Sequence, residues 1–124
     1  MIHYEKLVRD RIPEIIREAG KVPVTRIVTE EVELRQRLID KLAEEMQEYR
    51  ESGSVEEIAD ILEVLQALVE QIHGMSWEQV REIQGRKWEE RGGFRDGIVL
   101  ERVEGKERKS GSTDTGDATG GANG

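Results

Sequence analysis

The chain contains no cysteine, which excludes disulfides and thiolate metal sites alike. Its two histidines, His3 and His73, are too few for a histidine-rich centre, so any metal must be held by oxygen. No uncharged run approaches the roughly 20 residues that span a bilayer, and the opening MIHYEKLVRD carries no apolar signal core. A cytoplasmic protein without a membrane partner is expected. Positive charge is also in short supply, with 19 Lys and Arg against 27 Asp and Glu, a net charge of −8 and a pI near 4.9. Such a surface disfavours a long nucleic acid. A small polyanion is still admitted, because a divalent ion and a few local Lys or Arg reverse the sign of one pocket.

At 124 residues the chain suits one domain with a modest core. From Gly105 onward, GKERKSGSTDTGDATGGANG has no aliphatic residue larger than alanine. Residues 105–124 are therefore expected to form a disordered tail behind a domain of residues 1–104.

Helical spacing runs through most of that domain. In KLVRDRIPEIIREAGK, Leu7, Val8, Ile12, Ile15, Ile16 and Ala19 fall at helical spacing, with Asp10 as the expected N-cap, Pro13 in the first turn and Gly20 as the stop. The β-branched VPVTRIV reads as a short extended segment. Thr29 is the expected N-cap of a second helix, about Glu30 to Glu51, whose stripe is Leu34, Leu38, Ile39, Leu42, Met46 and Tyr49. After the break at residues 52–54, Ser54 and Glu57 fit a capping box for a third helix reaching about His73, which the short loop folds back on the second. Ser76 and Gln79 form a similar box for a fourth helix, closed by Gly92 and Gly93. RDGIVLERV is a further short β-type run. The expected fold is all-α: an antiparallel bundle of about four helices with minor extended pieces.

Assigning 100° per residue locates the acids. With Leu34 at zero, Glu45 falls at about 20°, inside the apolar stripe, and Glu48 and Lys41 lie on its border at about 320° and 340°, while Glu44 lies further out at about 280°. With Ile58 at zero, Glu57 at about 260° is again within the stripe, and Asp60 sits just beyond its border. In an antiparallel hairpin Glu45 and Glu48 precede the loop by much the distance at which Glu57 and Asp60 follow it. Four carboxylates then converge, which requires either bound cations or protonation. Hard oxygen ligands suit Mg²⁺, or Mn²⁺ in its place. The competing reading is a solvated acidic face in which Glu57 only completes a cap. On the fourth helix, Lys87 and Arg91 fall within the stripe of Trp77, Val80, Ile83, Gln84 and Trp88, where they meet phosphates or run their stems over a core edge. Lys6, Arg9 and Arg11 of KLVRDR either contact a substrate across a subunit interface or, the favoured reading, pair with the surplus acids.

EE-x-x-E at Glu44, Glu45 and Glu48, E-x-x-D at Glu57 and Asp60, and K-x-x-x-RGGF from Lys87 to Phe94 together resemble the MazG-like, all-α nucleoside triphosphate pyrophosphohydrolases. KLVRDRIPEII and GIVLERV resemble the small, single-domain, phosphoribosyl-ATP pyrophosphohydrolase-like branch. The likeness covers about residues 1 to 103, with a shorter interval between the two acidic pairs than in typical members. It implies an Mg²⁺-dependent hydrolase that cuts a noncanonical NTP or dNTP to a monophosphate and pyrophosphate, a housecleaning activity. It further implies that Glu45, Glu48, Glu57 and Asp60 are metal ligands, and that the protein is a homodimer or homotetramer. On this reading Glu48 acts on the attacking water beside Glu45, Lys87 and Arg91 hold the pyrophosphate, and Lys41 pairs with the acids or reaches a phosphate. Phosphoribosyl-ATP hydrolysis in histidine biosynthesis and a non-catalytic helical interaction module are the alternatives.

Overall fold

The structure is a computed structural model and describes residues 5–105. The chain divides into two units, residues 1–90 and 91–124. Among the described residues there are four α-helices and no strands: α1 (Ile12–Glu18), α2 (Glu31–Ser52), α3 (Val55–Ala67) and α4 (Trp77–Arg91), with a π-helical turn, Leu68–Ile72, directly after α3. The fold is all-α, as the 3.6-residue periodicity requires.

The hairpin of α2 and α3 organises the first unit. Gly53, in the left-handed conformation at φ 64°, ends α2 by donating its N–H to the Tyr49 carbonyl. Ser54 then starts α3, its Oγ accepting from the Glu56 N–H at 3.2 Å. This cap differs from the expected box. The Ser54 N–H is taken by Ser52 Oγ at 3.1 Å, so the Glu57 carboxylate is not drawn back to the helix start. On the hairpin's inner face Leu38 and Val64 are the buried apolar residues, and Glu45 is buried with them.

Two expected caps are not made. Arg11, not Asp10, precedes α1, because the Ile12 N–H is already satisfied by the Arg9 carbonyl at 3.0 Å and Pro13 brings no N–H of its own. Glu30, not Thr29, precedes α2, and no side chain caps it; Glu31 and Glu33 supply negative charge to the first turn instead. VPVTRIV pairs with no strand, and Val22, Val24 and Ile27 are exposed. Arg26 from this segment reaches Glu33, whose pKa is lowered by hydrogen bonds from Arg26 and Arg37.

The third helix was expected to continue unbroken to His73, but it widens at Leu68. The His73 N–H bonds the Leu68 carbonyl at 3.2 Å, and the turn closes at Gly74 with φ 62°. The Ser76–Gln79 box forms as expected: the Gln79 N–H donates to Ser76 Oγ at 3.1 Å, and the Ser76 N–H donates to Gln79 Oε1 at 2.8 Å. α4 ends before Gly92 at φ 80°, and it buries none of its residues.

Described by itself, the run from Phe94 to Gly105 has one turn, closed by the Gly97 N–H on the Phe94 carbonyl, and no strand. Its apolar residues Ile98, Val99, Leu100 and Val103 are exposed. Of the expected disordered tail, residues 106–124 lie outside the described residues.

Candidate metal centre

The hairpin register brings five acids together. Carboxylate oxygens of Glu44, Glu45 and Glu48 lie within 4.8 Å of one another, and so do those of Glu45, Glu57 and Asp60. Glu45 belongs to both groups and sits between them. Two ligands on opposite sides of an octahedral Mg²⁺ are about 4.2 Å apart, so each group is within a small side-chain adjustment of sharing one ion.

Glu45 is the unusual member. Only 7% of its surface is exposed, and its Oε1 is buried with no hydrogen-bond partner among the described residues. The other oxygen, Oε2, lies 3.5 Å from Lys41 Nζ. A buried carboxylate with half its acceptor capacity unmet is costly, and proteins seldom keep one without a use for it. Burial raises its pKa, with Glu48 and Asp60 adding repulsion and Lys41 opposing them.

The surrounding charges are arranged by distance along the chain. Lys41 reaches Glu44 at 3.4 Å from within α2, whereas Lys6 reaches the same Glu44 Oε2 at 3.2 Å from the N-terminal segment. Burial works to raise the Glu44 pKa, but Lys6 and Lys41 together outweigh it and hold the pKa low. The Arg9 guanidinium meets Asp60 at 2.7 Å. Arg11, which precedes α1, pairs with Glu14 of that helix at 3.5 Å. Pairing with the acids is thus what the described residues show for KLVRDR.

Each residue expected at the site has a definite place. Glu45, Glu57 and Asp60 converge, and Glu48 joins Glu45 from the exposed edge of α2. Glu44, placed on the outer side by its angle, is half-buried and belongs to the same group. Lys41 is beside the acids. Lys87 and Arg91 are exposed on α4, where neither has an ion pair among the described residues. Trp88, a member of the expected apolar stripe of α4, is 63% exposed. The contacts that periodicity missed are those of Lys6 and Arg9, whose only trace in the sequence is a run of positive charge in an acidic chain.

Comparison with models of protein families, with curated proteins and with solved structures gave no match. The resemblance set out above therefore rests on its own residues.

The donor set fits a hard divalent cation. All the ligand atoms are carboxylate oxygens, one of them buried without a partner, and no nitrogen or sulfur donor stands among them. Mg²⁺ or Mn²⁺ meets that description.

The raised pKa of Glu57 gives a pH prediction. Burial is the larger cause, followed by Asp60 and Glu45. Above the ordinary carboxylate value of 4.5 the unfolded chain has released this proton while the folded chain still holds it, so folding loses stability as pH rises through that window. In chelator, the melting temperature of wild type is expected to fall progressively behind that of Glu57→Gln as pH rises above 4.5, with the difference closing below it. A gap that is independent of pH would show that Glu57 does not titrate abnormally.

Proposed function

We propose that this chain is a Mg²⁺-dependent nucleoside triphosphate pyrophosphohydrolase of the MazG-like kind. The observation that carries the reading is the buried, unpartnered Oε1 of Glu45 at the junction of two carboxylate groups. An acidic surface kept for solubility has no reason to bury one of its members. The resemblance of the Glu44–Glu48, Glu57–Asp60 and Lys87–Phe94 motifs supplies the reaction class.

Glu45, Glu48, Glu57 and Asp60 would hold the metal. When bound, the ion supplies Lewis-acid activation of the α-phosphoryl group and of water. Glu48 is exposed at the open edge of the group, so its carboxylate can accept a proton from a water attacking the α-phosphorus. The bond from that phosphorus to the α,β-bridging oxygen breaks, and pyrophosphate leaves. Lys41 is close enough to the acids to neutralise a phosphate drawn towards them. Lys87 and Arg91 are assigned to the leaving pyrophosphate by the resemblance. A noncanonical NTP or dNTP is the proposed substrate, with phosphoribosyl-ATP as the alternative. Among the described residues no helix is long and apolar enough to cross a membrane, and an intracellular setting is part of the same proposal.

The non-catalytic alternative draws on a specific observation: Lys6 and Arg9 already neutralise Glu44 and Asp60. An NTP and dNTP panel, with phosphoribosyl-ATP included, separates the readings. Pyrophosphate release with Mg²⁺ and none in chelator is expected. No release from any nucleotide, with no rise in melting temperature on adding Mg²⁺ or Mn²⁺, would favour the interaction module.

A further inference from the structure

The N-terminal segment crosses to the acidic centre with two cations. Lys6 and Glu44 are 38 residues apart in the sequence, and Arg9 and Asp60 are 51 apart. Neither pair follows from helical spacing, so the chain has been brought over the hairpin for these contacts. Each cation ends on a different acidic group: Lys6 on the one formed by Glu44, Glu45 and Glu48, and Arg9 on the one formed by Glu45, Glu57 and Asp60.

The Arg9–Asp60 pair is short but open. The side chains are 55% and 38% exposed, and exposed pairs of this kind hold weakly. A divalent ion shared with Glu45 and Glu57 attracts the Asp60 carboxylate more strongly than one exposed guanidinium does. Binding the ion therefore competes with Arg9 for Asp60. The displaced guanidinium keeps its charge and its five donors, at the rim of a centre whose substrate would be a polyphosphate.

Charge balance gives that guanidinium a task. Five carboxylates face only three cations, Lys6, Arg9 and Lys41, among the described residues. A triphosphate entering such a site brings about four more negative charges. Even with metal bound, the cations already at the rim are needed to admit it.

Resting on the metal reading above, we infer that Arg9 is a phosphate-binding residue held in reserve on Asp60, which a divalent ion releases so that Arg9 engages the polyphosphate of the substrate. The two readings of KLVRDR, acid pairing and substrate contact, then describe one segment before and after the metal is loaded.

Two affinities with opposite expected changes provide the test. The first is Mn²⁺ affinity of the metal-free full chain by calorimetry; the second is affinity of the Mn²⁺-saturated protein for the Mn²⁺ complex of inorganic triphosphate. Arg9→Gln is expected to bind Mn²⁺ about threefold to fivefold tighter, because a competing exposed pair is gone. It is expected to bind triphosphate about tenfold weaker, because a charge-assisted fork is lost. Arg11→Gln removes the same charge from the same segment but pairs with Glu14, and should change neither. Arg9→Lys, which keeps the charge and loses the fork, should fall between wild type and Arg9→Gln on the triphosphate arm. Circular dichroism confirms that each variant is folded. Mn²⁺ binding in wild type that Arg9→Gln leaves unchanged or weakens overturns the inference while leaving the metal centre standing. Triphosphate binding that is absent or insensitive to Arg9 does the same. No Mn²⁺ binding by wild type removes the metal reading, and the inference with it.

Discussion

Glu45→Gln is expected to melt higher than wild type in chelator, to lose the stabilisation that Mg²⁺ or Mn²⁺ gives, and to release pyrophosphate at least about 100-fold more slowly. The three effects have one cause. Glu45 is 7% exposed and its Oε1 has no hydrogen-bond partner among the described residues, so in the absence of metal an ionised oxygen is held away from water for no local return. A polar group left in that state costs about 1–3 kcal/mol. Glutamine keeps the shape, removes the charge and relieves the repulsion from Glu48 and Asp60. Lys41 loses one of its two carboxylates but retains Glu44, which trims the gain. A net improvement of about 1 kcal/mol would raise the melting temperature of a domain near 100 residues by roughly 4–8 °C. Glu45 is also the one residue common to both acidic groups, so the same substitution removes a ligand from each. Should Glu45→Gln melt lower than wild type in chelator, the residue would be a structural partner of Lys41. If it also kept full activity, the proposed centre would be wrong.

The reason Glu45 was legible from sequence is geometric. Helical phase depends only on residue number, and an acid at about 20° in an apolar stripe must either pack or perturb the stripe. It is buried, as are Leu38 on the same helix and Val64 on α3. The Ser76–Gln79 box and the loop at Gly53 were legible for a similar reason, since both are short-range chemistry. Asp10 and Thr29 failed as caps because cap residues compete with neighbours, and each helix began one residue further on. The widening at Leu68 had no signal, because Leu-Val-Glu-Gln-Ile is as suitable for an α-helix as for a π-helical turn. Arg9 and Lys6 were legible as charges but not as contacts. Their partners lie 51 and 38 residues away, and only the completed fold sets such pairs. For α4 periodicity predicted a packed stripe, yet no residue of it is buried, because a stripe says which face is apolar and not what covers it.

A substitution on the outer flank of the hairpin should have an effect as large as one in a core. Among the described residues only Leu38 and Val64 are buried apolar residues, while Ile39, Met46, Ile58 and Leu62 of the same two helices are 45%, 56%, 37% and 47% exposed. Ile39 and Met46 lie together at about 140° and 120° on the α2 wheel, and Ile58 and Leu62 together at about 0° and 40° on that of α3. These are exposed apolar residues on both helices of a hairpin that has little covered surface of its own, and apolar surface of that kind marks association. A second copy of the same hairpin offers a matching flank and would complete a four-helix arrangement. The protein is therefore expected to scatter light as twice 14.2 kDa or a higher multiple at micromolar concentration. Met46→Glu would place a charge in that contact, where an unpaired carboxylate costs several kcal/mol. Because folding and association share this surface, the variant is expected to lose cooperative melting along with its higher mass. Leu62→Glu, from the facing helix, should behave alike. A Met46→Glu protein that is monomeric yet melts at the wild-type temperature, or a wild type that is monomeric at micromolar concentration, would show that the hairpin flank has no such partner.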